Sequence, residues 1–344
     1  MKKYFSVILS VLMILSLISL AGCGKDGKDT ASGETLKLGL GVHSYIEEIK
    51  NADGDNNGEA ESVTTAAAVL LDKTGKIVKC ALDTAVNKIA FTAAGQAVEP
   101  GKMLTKYELK NDYGMKSKSA VKKEWFEQVD AFISVVEGKT LEEVKALMAE
   151  DKKGKEAVVN AGCTIVISDF INAIEKAVDN AVDSNAKTGD IVKLGFVSSL
   201  HDKKDATEDA KGLNQVDTTI VATALNKDNK VTASVVDAVQ TKVEFDNKGV
   251  SNTSYGFVIA TKKALGDKYG MAASGKDLNG DGVVKEWYEQ ATAFSKACEG
   301  KKADDIAKLV DKNGYGVESI QKAGCTINID DMVKAAIKAA TVEK

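Results

Sequence analysis

The sequence has little of what most catalytic or nucleic-acid-binding chains rely on. It has 46 basic residues against 50 acidic ones, for a net charge of −4. A protein that grips a phosphate backbone needs clustered cations free of interleaved acids, so nucleic acid is not an expected partner. Only two histidines occur, His43 and His201, and there is no Cys-x-x-Cys. A zinc-type site is therefore not expected. No nucleophile stands with a base and an orienting acid, and no glycine-rich phosphate loop follows a strand, so hydrolytic catalysis has no support. The many carboxylates lie on helix faces at the spacing of solvated Glu–Lys pairs.

What the chain does have is one pattern stated twice. The first copy runs from Lys106 through Tyr113-Gly114-Met115, Lys123-Glu124-Trp125-Phe126-Glu127-Gln128 and Glu137-Gly138-Lys139 to Ala161-Gly162-Cys163-Thr164-Ile165. The second runs from Lys262 through Tyr269-Gly270-Met271, Lys285-Glu286-Trp287-Tyr288-Glu289-Gln290 and Glu299-Gly300-Lys301 to Ala323-Gly324-Cys325-Thr326-Ile327. A period of this length implies two homologous globular modules rather than a solenoid, whose repeats recur at roughly 20–50 residues. We place them at 36–184 and 191–344, joined by a linker at 185–190. Four cysteines fall within them, but Cys80 aligns with Ser234 and Cys298 with Val136, so no disulfide framework common to both copies is expected.

The N-terminus reads as an export signal. Lys2 and Lys3 precede an apolar run from Phe5 to Leu20 that is shorter than the ~20 residues a spanning helix needs. Its end, Leu20-Ala21-Gly22-Cys23, resembles the bacterial lipobox, in which the cysteine is acylated and becomes the new N-terminus. Residues 1–22 are then a lipoprotein signal peptide and Cys23 the lipid attachment point. Residues 23–35, rich in Gly, Lys, Asp, Ser and Thr, form a flexible spacer. The expected location is the extracytoplasmic face of the cell membrane, with the membrane itself a partner through Cys23.

Each module reads as α+β, a small antiparallel sheet packed by helices. Leu36-Lys37-Leu38-Gly39-Leu40 and Ile191 to Phe196 open the two modules as matching strands. Val63 to Leu71 and Lys76 to Leu82 flank a turn with Gly75, and Thr218 to Leu225 and Lys230 to Val236 flank one with Asn229, the other residue that tolerates a left-handed backbone. Short strands follow near 88–91 and 242–245. Helical spacing puts Trp125, Val129, Phe132 and Val136 on one face, and Trp287, Ala291, Phe294 and Cys298 on its equivalent. Thr140 and Glu143 make a capping box, whereas the counterpart at Lys302 needs another cap, with Asp304 the candidate. Thr164 to Ile167 reads as a strand entering a helix capped at Ser168 or Asp169.

Four candidate sites follow from these patterns. Gly162 and Gly324 permit close approach, and Thr164 and Thr326 stand just before helix N-termini, where a phosphate finds free N–H groups. Tyr113, Met115 and Trp125, with Tyr269, Met271 and Trp287, have the character of an apolar slot for a flat ring, although both tryptophans also fit the buried face of their helix. Asp277, Asn279 and Asp281 before Gly282 match the first half of a calcium loop, as do Asp53, Asp55 and Asn57. The twelfth ligand is missing from both loops, leaving Glu286 or Glu289 as candidate substitutes for the second. Cys163 and Cys325 fit either a redox thiol or a small buried hydrophobe.

The paired strands around Asp72 to Ile77 and the closing Gly-x-Thr before an amphipathic helix resemble the FMN-binding domain of flavin subunits in Rnf and sodium-pumping quinone reductase complexes and of extracellular electron-transfer lipoproteins. That resemblance implies FMN joined through a phosphoester to Thr164 and Thr326 by a flavin transferase, with redox partners outside the membrane. The family's Ser-Gly-Ala-Thr is here Ala-Gly-Cys-Thr. The Tyr-Gly-Met and Lys-Glu-Trp-x-Glu-Gln elements resemble those of clostridial-type surface lipoproteins. The expected function is an anchored carrier of FMN for electron transfer rather than a stand-alone catalyst. The alternative is a non-catalytic surface binding lipoprotein that keeps the fold without covalent flavin, with or without a calcium loop.

Overall fold

The computed structural model describes residues 33–274 and 284–342. The signal segment, Cys23 and the acidic loop bearing Asp277, Asn279 and Asp281 lie outside the described residues. From Gly33 onward the chain forms one compact unit.

The first repeat contributes β1 (Thr35–Lys50), β2 (Gly58–Leu71), β3 (Ile77–Phe91) and the short β4 (Val182–Lys187), in the order β3-β2-β1-β4. The second contributes β5 (Ile191–Lys204), β6 (Gly212–Leu225) and β7 (Val231–Phe245), in sequential order. The pairings within each sheet are antiparallel. The longer helices are α1 (Trp125–Val136) and α2 (Ser168–Asp179) in the first repeat, and α3 (Trp287–Cys298) and α4 (Asp330–Ala340) in the second. The α+β class read from the sequence is the observed one.

Each sheet buries both faces. Leu36, Leu38, Leu40, Ala68 and Leu70 of the first sheet pack in one cluster with Val192, Phe196, Ile220 and Ala222 of the second. The opposite faces pack under α1 and α2 in one repeat and under α3 and α4 in the other. The architecture is four layers, helix-sheet-sheet-helix. Two-sided burial explains why Ala66 to Leu71 is a continuous buried run rather than an alternation. Phe91 stacks on its own counterpart Phe245, with ring centroids 4.8 Å apart and planes 8° from parallel. A residue that meets its own copy lies beside the axis relating the two repeats.

Glycine fixes the true register between copies. A Cβ on Gly41 would sit 2.1 Å from the Ala173 carbonyl oxygen of α2, and one on Gly195 would sit 2.0 Å from that of Ala335 in α4. Helix and strand therefore cross at equivalent glycines, and Gly41, not Gly39, is the partner of Gly195. The match of letters between residues 36–40 and 192–196 is two residues out of step. Buried hydroxyl pairs agree with the corrected register, Ser44 with Thr64 at 2.8 Å and Ser198 with Thr218 at 2.9 Å.

Other local expectations shift for physical reasons. The separate short strands near 88–91 and 242–245 are the ends of single 15-residue strands, β3 and β7. Buried polar residues interrupt the apolar pattern there without interrupting the ladder. Asn87 Nδ2, for example, donates across the sheet interface to Ser198 at 3.2 Å and Thr218 at 3.0 Å. Residues 164–167 form no strand and make one isolated bridge, Lys153 with Val166. Ser168 and Asp169 begin α2 rather than cap it, since Ile167 is the N-cap and makes no side-chain cap bond. The Thr140–Glu143 capping box is present, while Lys302 opens its equivalent without a side-chain cap. The junction of the repeats holds β4, paired to β1 at Leu38–Val182 and Thr35–Lys187, then a turn through Gly189 into β5.

Candidate functional site

The duplicated Lys-Glu-Trp-x-Glu-Gln motif is a clamp. Glu124 is 4% exposed, and its carboxylate accepts from the backbone N–H groups of Met115 at 2.8 Å and Lys116 at 3.1 Å. Its own N–H donates to Glu127, completing a capping box at the start of α1. Gln128 is fully buried. Its Nε2 donates to Ser119 Oγ at 3.1 Å, and its Oε1 accepts from Thr164 N at 3.0 Å and Thr164 Oγ1 at 3.1 Å. Lys123 Nζ donates to the Ala161 carbonyl. The motif thus ties the Tyr-Gly-Met loop to the Gly-Cys-Thr segment.

The second copy repeats the glutamate and glutamine–threonine bonds. Glu286 accepts from Met271 N and Ala272 N at 3.0 Å each, and Gln290 Oε1 accepts from Thr326 N at 2.9 Å and Thr326 Oγ1 at 3.2 Å. Glu286 and Glu289, the candidate calcium substitutes, are engaged here as cap groups. Gly162 and Gly324 take left-handed φ values of 104° and 93°, and the Cβ each lacks would collide with the Nζ of Lys123 and Lys285 respectively. These glycines make room for a lysine of the chain itself. Among the described residues no group of three or more His, Cys, Asp or Glu is placed to hold a metal.

Cys80, Cys163, Cys298 and Cys325 are unpaired and buried. Desolvation pushes the Cys163 thiol up to about 11 and those of Cys298 and Cys325 to about 12, opposite to the direction that makes a thiolate reactive. The environment fits a small buried hydrophobe.

A cleft of about 620 Å³ opens beside Tyr113, Met115 and Trp125, within the size range of small-molecule sites. Trp125 packs edge-on to Tyr113 and Phe170. Lys106 Nζ lies 5.5 Å from the Tyr113 ring centre and 5.8 Å from that of Trp125. The opposite wall comes from β1 and the start of α2, with His43, Tyr45, Glu47, Ser168 and Asp169. Tyr45 donates to Asp169 Oδ2 at 2.9 Å, and burial followed by the Asp169 charge raises its pKa. Burial also lowers the pKa of His43, favouring a neutral ring. A loop of the second repeat closes the rim. Ile46 N donates to Phe257 O at 3.1 Å, Gly256 N to Ile46 O at 2.9 Å and Ile259 N to Ser44 O at 2.9 Å, which brings Tyr255 and Val258 to the cleft.

The structure therefore gathers Tyr113, Met115 and Trp125 on one cleft but does not bring Thr164 to it, although Ile165 and Val166 line it. Tyr269 and Met271 stand equivalently beside Trp287, with Lys262 5.4 Å from the Tyr269 ring and Gln290 Nε2 donating to Met271 Sδ at 3.5 Å. Residues 43–47, Asp169 and the 255–258 loop were not foreseen. The signal for them lies in differences between the copies, legible only once the register is right. No family model, curated protein or solved structure matches the chain.

Proposed function

We propose that the protein is a lipid-anchored extracytoplasmic binding protein that takes a flat, partly apolar ligand reversibly into the cleft of its first repeat. FMN is the ligand that the family resemblance suggests. The observation that supports this most is the cleft itself, which unites the aromatic wall of Tyr113 and Trp125 with polar groups from β1 and α2. Residues fit a bound flavin in kind. Tyr113 and Met115 would face the ring system, with the buried Trp125 packed behind Tyr113, and Lys106 would face an acidic group; the flavin when bound would supply redox chemistry. Covalent attachment fits less well, because Thr164 and Thr326 each donate their hydroxyl to a buried glutamine. Transfer of a phosphoryl group to either would first require that bond to break.

The test is a titration of the purified mature protein with FMN, followed by flavin fluorescence, with intact mass measured after co-expression with a flavin transferase. Saturable quenching, lost in Val166→Trp, and an unmodified mass are expected. Absence of saturable binding overturns the proposal, and two added flavin masses would establish the covalent reading in its place. For the anchor, Cys23→Ser is expected to move the protein from the membrane fraction to the soluble one.

A further inference from the structure

The second repeat contains an ion pair that the first lacks. Lys262 Nζ lies 3.2 Å from Asp217 Oδ2, both side chains being nearly buried at 12% and 10% exposure. Gln215 and Gln240 also donate to Asp217, at 2.7 Å and 3.1 Å. In the register set by Gly41 and Gly195, the counterpart of Asp217 is Val63, since Tyr45 pairs with Val63 as Ser199 pairs with Asp217. Gln240 likewise becomes Val86. Yet Lys106 holds the place of Lys262 relative to its tyrosine and tryptophan to within about 0.2 Å, by comparison of the ring distances 5.5 and 5.8 Å with 5.4 and 5.6 Å. The cation is kept and the carboxylate in contact with it is gone, while the places of His201 and Gln215, which flank Asp217, are taken by Glu47 and Glu61.

Lys106 makes no ion pair within 4.0 Å among the described residues, and it lines the cleft together with Val63. A half-buried ammonium with no carboxylate in contact is less well satisfied than one that faces an anion at hydrogen-bond distance. A second asymmetry lies on the same rim. Lys152 lines the cleft with a left-handed φ of 65°, a conformation disfavoured for any residue with a Cβ. Its counterpart is Gly314, as their carbonyls accept from the equivalent Ile167 and Ile329 N–H groups. The first repeat thus carries a lysine where the second has the glycine that this backbone prefers. The cleft's carboxylates do not contact Lys106. Asp169 accepts from Tyr45, and Glu47, which feels the Lys106 charge, is nonetheless held toward its protonated form by burial and then by Glu61.

Resting on the reading of the cleft as the ligand site, we infer that the cleft binds an aromatic ligand through an anionic group seated at Lys106, the role that Asp217 fills internally in the second repeat. The two copies have diverged into one open, anion-accepting site and one closed by the chain's own carboxylate.

The test titrates the mature protein with benzoate and with benzyl alcohol, its uncharged analogue, by tryptophan fluorescence. Benzoate is expected to saturate with at least tenfold higher affinity than the alcohol. Lys106→Met, which keeps the packing on both rings, is expected to erase that difference while leaving far-UV circular dichroism unchanged. Val63→Asp, which restores an internal carboxylate, is expected to do the same. Equal affinity for the two probes, no saturable benzoate response, or a Lys106→Met protein that still prefers benzoate each overturn the inference. If FMN fails to bind while benzoate binds in a Lys106-dependent manner, the flavin reading fails and the anion site stands. If FMN binds and the benzoate preference is absent, the reverse holds.

Discussion

The link between Gln128 and Thr164 decides whether the closing motif is structural or chemical. Gln128 is fully buried and makes three well-formed bonds, to Ser119 Oγ, Thr164 N and Thr164 Oγ1. At about 0.5–1.5 kcal/mol net for each bond, and more where a buried partner is left unsatisfied, Gln128→Leu is expected to cost about 2–5 kcal/mol. Thr164→Val removes one of the three and should cost about 1 kcal/mol. A double-mutant cycle should then return a coupling of about 1 kcal/mol between the two sites, because the hydroxyl bond is counted in both single mutants. Equilibrium urea unfolding measures each value through the midpoint at constant slope. The coupling between Gln290 and Thr326 should be the same, since the distances of the shared bonds match within 0.1 Å. Zero coupling together with a neutral Thr164→Val would refute the argument, for it would mean that the hydroxyl is free and available for esterification.

Three further outcomes follow from burial. Asp83 lies inside β3, and desolvation raises its pKa to about 7 despite hydrogen bonds from Thr105, Thr84 N and Tyr107 N. A carboxyl whose folded pKa exceeds the unfolded value of about 3.9 holds its proton more tightly when folded, so its contribution to stability is present near pH 4 and is lost as pH rises toward 7. Asp83→Asn, which keeps an acceptor for both N–H groups, should flatten that slope in unfolding free energies measured from pH 4 to 8; an unchanged slope counts against it. The four buried cysteines should resist an aromatic disulfide reagent at pH 8 until denaturant is added, and stoichiometric labelling of the native protein within minutes would contradict the raised thiol pKa values. Residues 36–184 expressed alone would expose the inner face of their sheet, including Leu38, Leu40 and Phe91. Such a fragment should aggregate or self-associate in analytical ultracentrifugation, and a stable monomer would show that the sheet interface is dispensable.

Much of the local structure was legible because its signals are local. The Trp125 and Trp287 helices carry their apolar faces in the sequence, and Thr140 with Glu143 announces a cap that is present. The sheet-to-sheet packing was not legible, because a strand buried on both faces shows a plain apolar run, and Ala66 to Leu71 says nothing about what covers each side. Tertiary partners also hid the length of β3. Asp83 and Asn87 look like strand breakers until Tyr107 N and Thr218 Oγ1 are seen to meet them. The sequence around Gly162 and Thr164 is ambiguous for a related reason. A Gly-x-Thr beside a helix start looks the same whether it faces a phosphate or, as here, a lysine and a glutamine from the preceding helix and its lead-in.

The duplication then acquires a different meaning. What both copies share, the glutamate and glutamine clamp with its threonine, is what holds the Tyr-Gly-Met loop, the first long helix and the last helix in one frame. A shared feature of that kind explains the fold twice and distinguishes nothing. Function is to be sought where two similar frames differ, and several of the differences lie on one cleft. Tyr45 becomes Ser199, Val63 becomes Asp217, Lys152 becomes Gly314 and Phe170 becomes Met332, and each first-repeat member of those pairs lines the same cleft. The second repeat retains the frame and supplies the 255–258 loop to the rim of the first, so the closed copy still helps to build the open one.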